Sequence, residues 1–246
     1  MPLFYLRRLT STSRTDAANR HLARYLAFIA GAANAGGFLA VHQYTSHMSG
    51  VVSSTADNLA IGDLWLVVDG LVSLFAFFLG AYASTAMIRW GRERRLLSRY
   101  ALPLLSEAAL LAIFGFTGKE FTGERVLGTI VLLCFTMGLQ NAMITKISDS
   151  VIRTTHMTGI VTDIGIAVGK LVHASSHDDF QADEVMAALR LLLSLLALFF
   201  LGGVIGAVGY KHVGFLFTLP LASILFVLAI LPVIDDLRGK EMEANA

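Results

Sequence analysis

The chain carries one unusual eight-residue block twice, as Ser46-His47-Met48-Ser49-Gly50-Val51-Val52-Ser53 and again as Thr155-His156-Met157-Thr158-Gly159-Ile160-Val161-Thr162. Every pair in the two copies is identical or a Ser/Thr or Val/Ile exchange. Upstream, Gly31-Ala32-Ala33-Asn34-Ala35 returns as Gly138-Leu139-Gln140-Asn141-Ala142, and downstream Ala60-Ile61-Gly62 is echoed by Ala167-Val168-Gly169. The offset is 109 residues at the eight-residue block and 107 at the other two, so two-residue adjustments keep the copies aligned. A chain duplicated in this way folds as two related halves, and His and Asn held among apolar neighbours point to a site at their interface.

The surroundings of the blocks decide the solvent. Apolar residues make up 55% of the 246 and charged residues 15%, against about a quarter charged in an ordinary globular domain. Several apolar runs approach the roughly 18 residues of a membrane-spanning helix. An all-α, polytopic membrane protein follows, with the lipid bilayer as its first partner. The 22 glycines suit helices that approach closely in lipid. A net charge of +1 gives no sign of a nucleic-acid partner, and no motif for a cofactor is present. The single cysteine, Cys134, excludes an intrachain disulfide and reads as a small core residue. Arg7, Arg8, Arg14 and Arg20 ahead of an apolar stretch imitate a signal peptide. Gly31 and Asn34 nevertheless have counterparts deep in the second half, which assigns the first apolar segment to the fold.

Eight apolar segments are expected, at about 25–43, 48–62, 64–88, 101–117, 126–145, 157–172, 186–209 and 213–233. The second and sixth carry the repeated block and are short. About 15 residues of helix reach about 22 Å, less than a hydrocarbon core of roughly 30 Å. They read as re-entrant or broken helices. Loop charge agrees: the arginine-rich N-terminus and the run Arg89-Trp90-Gly91-Arg92-Glu93-Arg94-Arg95 through Arg99 both belong in the cytoplasm. That is met if the second segment dips in and returns. The expected architecture is two inverted repeats, each of three spanning helices plus one short re-entrant helix, with both termini cytoplasmic. Residues 1–24 form a cytoplasmic N-terminal segment, 25–117 the first repeat, 118–233 the second and 234–246 a charged tail, while 118–125 lies outside and the 173–184 loop inside. The alternative is eight full spans in two parallel halves, which leaves one basic cluster outside.

The duplicated block supplies the candidate site. His47 and His156 are ionisable groups inside a membrane protein, where such groups face cavities or relays, and imidazole titrates near neutral pH; a histidine that ties the loop to a backbone carbonyl is the competing structural role. Ser49, Gly50, Thr158 and Gly159 open short helices, whose free N–H groups bind a polar substrate group or are simply capped. Asn34 and Asn141 bridge helices, hold the re-entrant loops, or touch the ligand. For proton coupling the candidates are Asp163, seven residues after His156 and near the same face; Asp57, a rougher counterpart in the first half; and Glu107, inside an apolar span and either facing a cavity or snorkelling to water. The strict counterpart of Asp163 is Ser54. Gly202, Gly203, Gly206 and Gly209 form a small-residue face for helix packing.

Enzymatic chemistry finds less support. His173 and His177 are spaced for one face of a helix, but no third metal ligand is evident. Ser49 or Ser53 beside His47 lacks both a nucleophile signature and a third member. The His-Met-Ser/Thr-Gly pair, the Gly-x-x-Asn blocks and the Thr162-Asp163-Ile164-Gly165 continuation resemble the YoaK-like family of bacterial multispanning membrane proteins over roughly residues 22 to 233. The resemblance implies the cytoplasmic (inner) membrane of a bacterium and supplies no substrate. The expected function is transport of a small solute or ion through a central site between the repeats, coupled to protons. A channel of the same architecture, a membrane-embedded enzyme and a scaffold or sensor are the alternatives, and a homo-oligomer is compatible with all.

Overall fold

In the computed structural model, residues 7, 9, 15–117, 126–148, 152–173 and 182–239 are described. Among them the chain is all-helical: α1 (Asp16–Val41), α2 (Met48–Ile61), α3 (Leu64–Glu93), α4 (Ala101–Thr117), α5 (Val126–Ile147), α6 (Met157–Val172), α7 (Ala182–Val213), a 3-10 turn (Gly214–Phe217) and α8 (Thr218–Leu237). The 118–125 linker, most of the 173–184 loop, His177 and the last seven residues of the tail lie outside the described residues.

Four helical stretches are long and apolar enough to cross a membrane: Asp16–Val41, Leu64–Glu93, Val126–Ile147 and the 56-residue run Ala182–Leu237 that contains α7 and α8. α3 shows why the surroundings must be apolar. Trp65, Leu71, Phe75, Phe78 and Tyr82 are all more than half exposed, a surface that suits hydrocarbon. Its small residues Gly70, Ser73, Ala76, Gly80 and Ser84 are instead buried, at spacings of three and four that define one packing stripe.

α1 begins earlier than its apolar pattern suggests. Thr15 is the N-cap, its Oγ1 accepting from Ala18 N at 3.4 Å, and the charged turn that follows continues the helix. Arg24 sits inside it because its Nε donates to Ser194 Oγ on α7 at 2.9 Å. The expected boundary at residue 25 is therefore corrected to Asp16.

The halves interleave. α1 packs along α7, and α3 along α5. At each crossing two glycines stand against carbonyl oxygens: Gly31 against Phe199, Gly202 against Phe28, Gly138 against Phe77 and Gly80 against Phe135. These contacts belong to a second repeat, Phe77-Phe78-Leu79-Gly80 and Phe199-Phe200-Leu201-Gly202, meeting Phe28-Ile29-Ala30-Gly31 and Phe135-Thr136-Met137-Gly138. Each crossing is a reciprocal Phe-x-x-Gly pair in which the absent side chain lets backbones touch. Gly206 meets Ala32 in the same way, and Gly209 the ring of Phe217.

Contacts fix helix direction. Along α1 and α7 the pairs Arg24–Ser194, Ala32–Gly206 and Gly36–Tyr210 climb together, so these helices are parallel. Between α1 and α5, Gln140 Nε2 donates to Leu26 O at 2.8 Å while Gly37 lies near Leu133, so this pair is antiparallel. α4 and α8 are antiparallel too. Leu97 N and Ser98 N each donate to the Asp236 carboxylate at 2.9 Å, and at the other end Gly115 faces Leu219. Glu107 falls midway between those two contacts, fully buried, with neither carboxyl oxygen hydrogen-bonded among the described residues. It does not snorkel.

Candidate functional site

The two repeated blocks are built alike. α1 ends at His42 in the left-handed region, φ 53°, and the chain turns back along the helix it has just left. The side chain of Asn34 catches it: Nδ2 donates to Ser46 Oγ at 2.7 Å, and Oδ1 accepts from Ser46 N at 3.3 Å. Asn34 lies seven residues before the end of α1, so α2 starts about 10 Å below that end. In the second half Thr155 Oγ1 donates to Asn141 Oδ1 at 2.6 Å, and Asn141 Nδ2 donates to Met137 O at 2.9 Å. The Asn-to-Ser/Thr bond is therefore a device that pins the returning loop.

His47 and His156 stand at the N-cap positions of α2 and α6, and neither side chain caps its helix. A methyl group on Gly50 would meet Nδ1 of His47 at 2.7 Å, and one on Gly159 would meet Nδ1 of His156. Glycine at the third position after histidine thus leaves room for the imidazole to lie over the first helical turn. This ties the His-x-x-Gly spacing to geometry. Ser49 and Thr158 are exposed beside it.

The halves differ in charge. Arg153 Nη1 lies 3.2 Å from His156 Nδ1. A guanidinium can only donate, so a hydrogen bond here requires this ring nitrogen to accept. The first-half counterpart of Arg153 is Tyr44, whose ring stacks on Phe38 at 5.0 Å.

A cleft of about 440 Å³ opens at the first block, lined by His42, His47, Ser54, Asn58 and Asp69 together with Val126 and Ile130 of α5. It joins His47 and Gly50 to Asp69, which the sequence reading did not single out. The signal was available, since Asp69 is the lone charged residue between Asp63 and Arg89. Asp57 does not line this cleft, and of the two repeated blocks only the first contributes to it.

Asp163, expected to be a buried carboxylate, is exposed, as are Asp57, His47 and His156. The reason is packing: α2 and α6 each lean on one neighbour, α3 and α7 respectively, and each buries only a narrow face, Val51 in α2 and Ile160 with Ala167 in α6. His173 Nδ1 lies 3.0 Å from Gly169 O at the end of α6, and among the described residues no group of three metal-binding side chains occurs.

Removing the pin should be measurable in stability alone. Asn34→Ala leaves Ser46 N and its hydroxyl unpartnered, which costs about 1–3 kcal/mol, and should lower the melting temperature of the detergent-solubilised protein. Asn141→Ala should do the same. Asn34→Asp, which keeps the acceptor, should lose less than Asn34→Ala; equal losses would assign the effect to bulk instead.

No solved structure matches the chain. The UPF0700 transmembrane protein YoaK of Bacillus subtilis (strain 168) is 27% identical over 186 residues, 73% of this chain and 81% of that protein. A family described as protein of unknown function, DUF1275, matches residues 22–231, which takes in both repeated blocks. With a multi-pass helical fold and a bacterial transmembrane relative, the chain belongs to the DUF1275 family.

Proposed function

We propose that this protein carries a small solute across the bacterial cytoplasmic membrane, through a site at the junction of two inverted halves, with proton exchange at Glu107. One observation carries the reading. Each half sends its His–Met–Ser/Thr–Gly block back to the side chain of an asparagine, well inside the end of a long helix, and starts a short helix there. Uncapped helix starts at that depth are what membrane carriers use to hold polar solutes.

Helix direction supports the inverted count. Eight full spans would make α1 parallel to α5 and α4 parallel to α8, whereas both pairs run antiparallel. The inverted count also brings both termini and Arg89–Arg95 to the cytoplasm and the 118–125 linker outside. The first block then enters from outside and the second from inside. The cleft at His47 and Asp69 is the outward mouth, and His156, Arg153 and Asp163 mark the inward one. Glu107, buried at mid-bundle without a partner among the described residues, fits a proton site better than the exposed Asp57 and Asp163.

Two measurements test this. In a Cys134→Ala background, Arg94→Cys should react with an impermeant thiol reagent only from the cytoplasmic side; labelling from outside would end the inverted count. Proteoliposomes with an entrapped pH dye should acidify or alkalinise when one of a panel of amines, carboxylates, sugars or amino acids is added, and the response should saturate. His156→Ala and Asp163→Asn should abolish the response in protein that still inserts and melts cooperatively. Flux that rises without saturation would favour a channel, and folded protein that answers no member of the panel would sink the transport reading.

A further inference from the structure

We propose that the α3–α4 hairpin holds an anionic phospholipid of the cytoplasmic leaflet, its headgroup on the arginine turn and one acyl chain in the groove between the helices. The turn is a built element. Leu96 N donates to Gly91 O at 2.8 Å, Arg95 sits in the left-handed region at φ 55°, and the Asp236 carboxylate takes both Leu97 N and Ser98 N from the end of α8. Gly91 gives the turn its tight return, since a side chain there would meet Cβ of Arg99.

The turn is one-sided in charge. Residues 89–99 hold five arginines and one glutamate. The glutamate, Glu93, is taken by Arg89 at 3.2 Å. Arg92, Arg94 and Arg95 are exposed without an ion pair among the described residues. Arg94 lies 4.5 Å over the ring of Trp90, and that indole, half exposed, is of the kind that settles at the headgroup boundary. Guanidinium groups at that level match phosphate oxygens in charge and geometry.

From Trp90 a groove of about 640 Å³ runs toward mid-membrane between Ala86 and Met87 on α3 and Leu102, Leu105 and Ala109 on α4. Beyond the Trp90 indole its one polar lining side chain, Ser106, is already engaged: Oγ donates to Leu102 O at 3.1 Å, with Met87 Sδ at 3.5 Å. Below the indole the groove therefore offers apolar contact, which suits an acyl chain. Leu102 to Ala109 spans about 10 Å of helix, starting where the arginines stop. Cations at phosphate depth continuing into an apolar channel have the shape of a phospholipid, and the charge favours an anionic headgroup over a zwitterionic or cationic one.

The test uses the full chain with Trp65→Phe, which leaves Trp90 as the single indole, reconstituted in phosphatidylcholine nanodiscs. Phosphatidylglycerol with brominated chains should quench Trp90 more than brominated phosphatidylcholine at equal mole fraction, by a local enrichment of roughly tenfold. Arg92→Gln/Arg94→Gln/Arg95→Gln should equalise the two lipids. Ala109→Phe, which fills the groove and keeps every charge, should reduce the quenching by brominated phosphatidylglycerol. Equal quenching in the unaltered chain, or a preference untouched by Ala109→Phe, would overturn the proposal. So would its loss to inorganic phosphate but not to chloride at the same ionic strength, since that result describes a free-anion site. None of these readouts depends on transport.

Discussion

Alanine at Gly31, Gly80, Gly138 or Gly202 should sharply reduce the yield of monodisperse, cooperatively melting protein, whereas alanine at Gly165 or Gly169 should not. The difference is one of space. At the four crossing glycines an added methyl group collides with the carbonyl oxygen of a facing phenylalanine. Backbone cannot rotate away as a side chain can, so the helices must separate. Overpacking of this kind costs about 1–3 kcal/mol at one position, and more where it breaks a reciprocal contact. Gly165 and Gly169 have nothing within 4 Å of an added Cβ, and alanine favours helix over glycine by roughly 1 kcal/mol. Melting curves and gel filtration in one detergent would compare all six. Equal behaviour would mean that the crossings are not what holds α1 to α7 and α3 to α5.

Glu107 should separate stability from function. Glu107→Leu replaces a fully buried, unpartnered carboxyl with an apolar group of similar size, removing a desolvation cost of about 1–3 kcal/mol. The melting temperature should rise. Under the transport proposal, gradient-driven uptake should vanish, because no proton can be exchanged at that position. Glu107→Gln keeps the shape and tests the proton alone: transport should become uncoupled from the pH gradient or stop. A Glu107→Leu protein that keeps full pH-driven uptake would remove this residue from the mechanism, and one that melts lower would reveal a partner for the carboxyl.

Much of the architecture was legible because lipid enforces simple patterns. Apolar runs with turns between them located eight helices, and the repeated block located the two short ones. The helix ends were less visible: Asp16 through Arg24 read as part of a cytoplasmic N-terminal segment because capping by Thr15 and the Arg24–Ser194 bond do not show in an apolar pattern. The Phe-Phe-Leu-Gly repeat was in plain view but stands 122 residues apart, out of step with the 107 and 109 of the other repeated blocks, because the connection after α6 is longer than the one after α2. Asp163 illustrates the opposite failure. Its spacing from His156 was right, yet spacing reports the face of a helix and not what covers that face. Asp69 went unremarked because it belongs to no repeat; only the fold brings it beside His47.

The interleaved crossings bear on how the chain is made. α1 leaves the ribosome first but finds its main neighbour, α7, only after some 150 further residues have followed. α3 waits a shorter time for α5. Until then the glycine faces of α1 and α3 have only lipid to touch, so the first half is a ligand awaiting its receptor rather than a finished domain. Assembly is settled late, by the arrival of Phe199 and Gly202. A chain released before that point would present its quality-control machinery with helices that are correctly inserted and still unpaired.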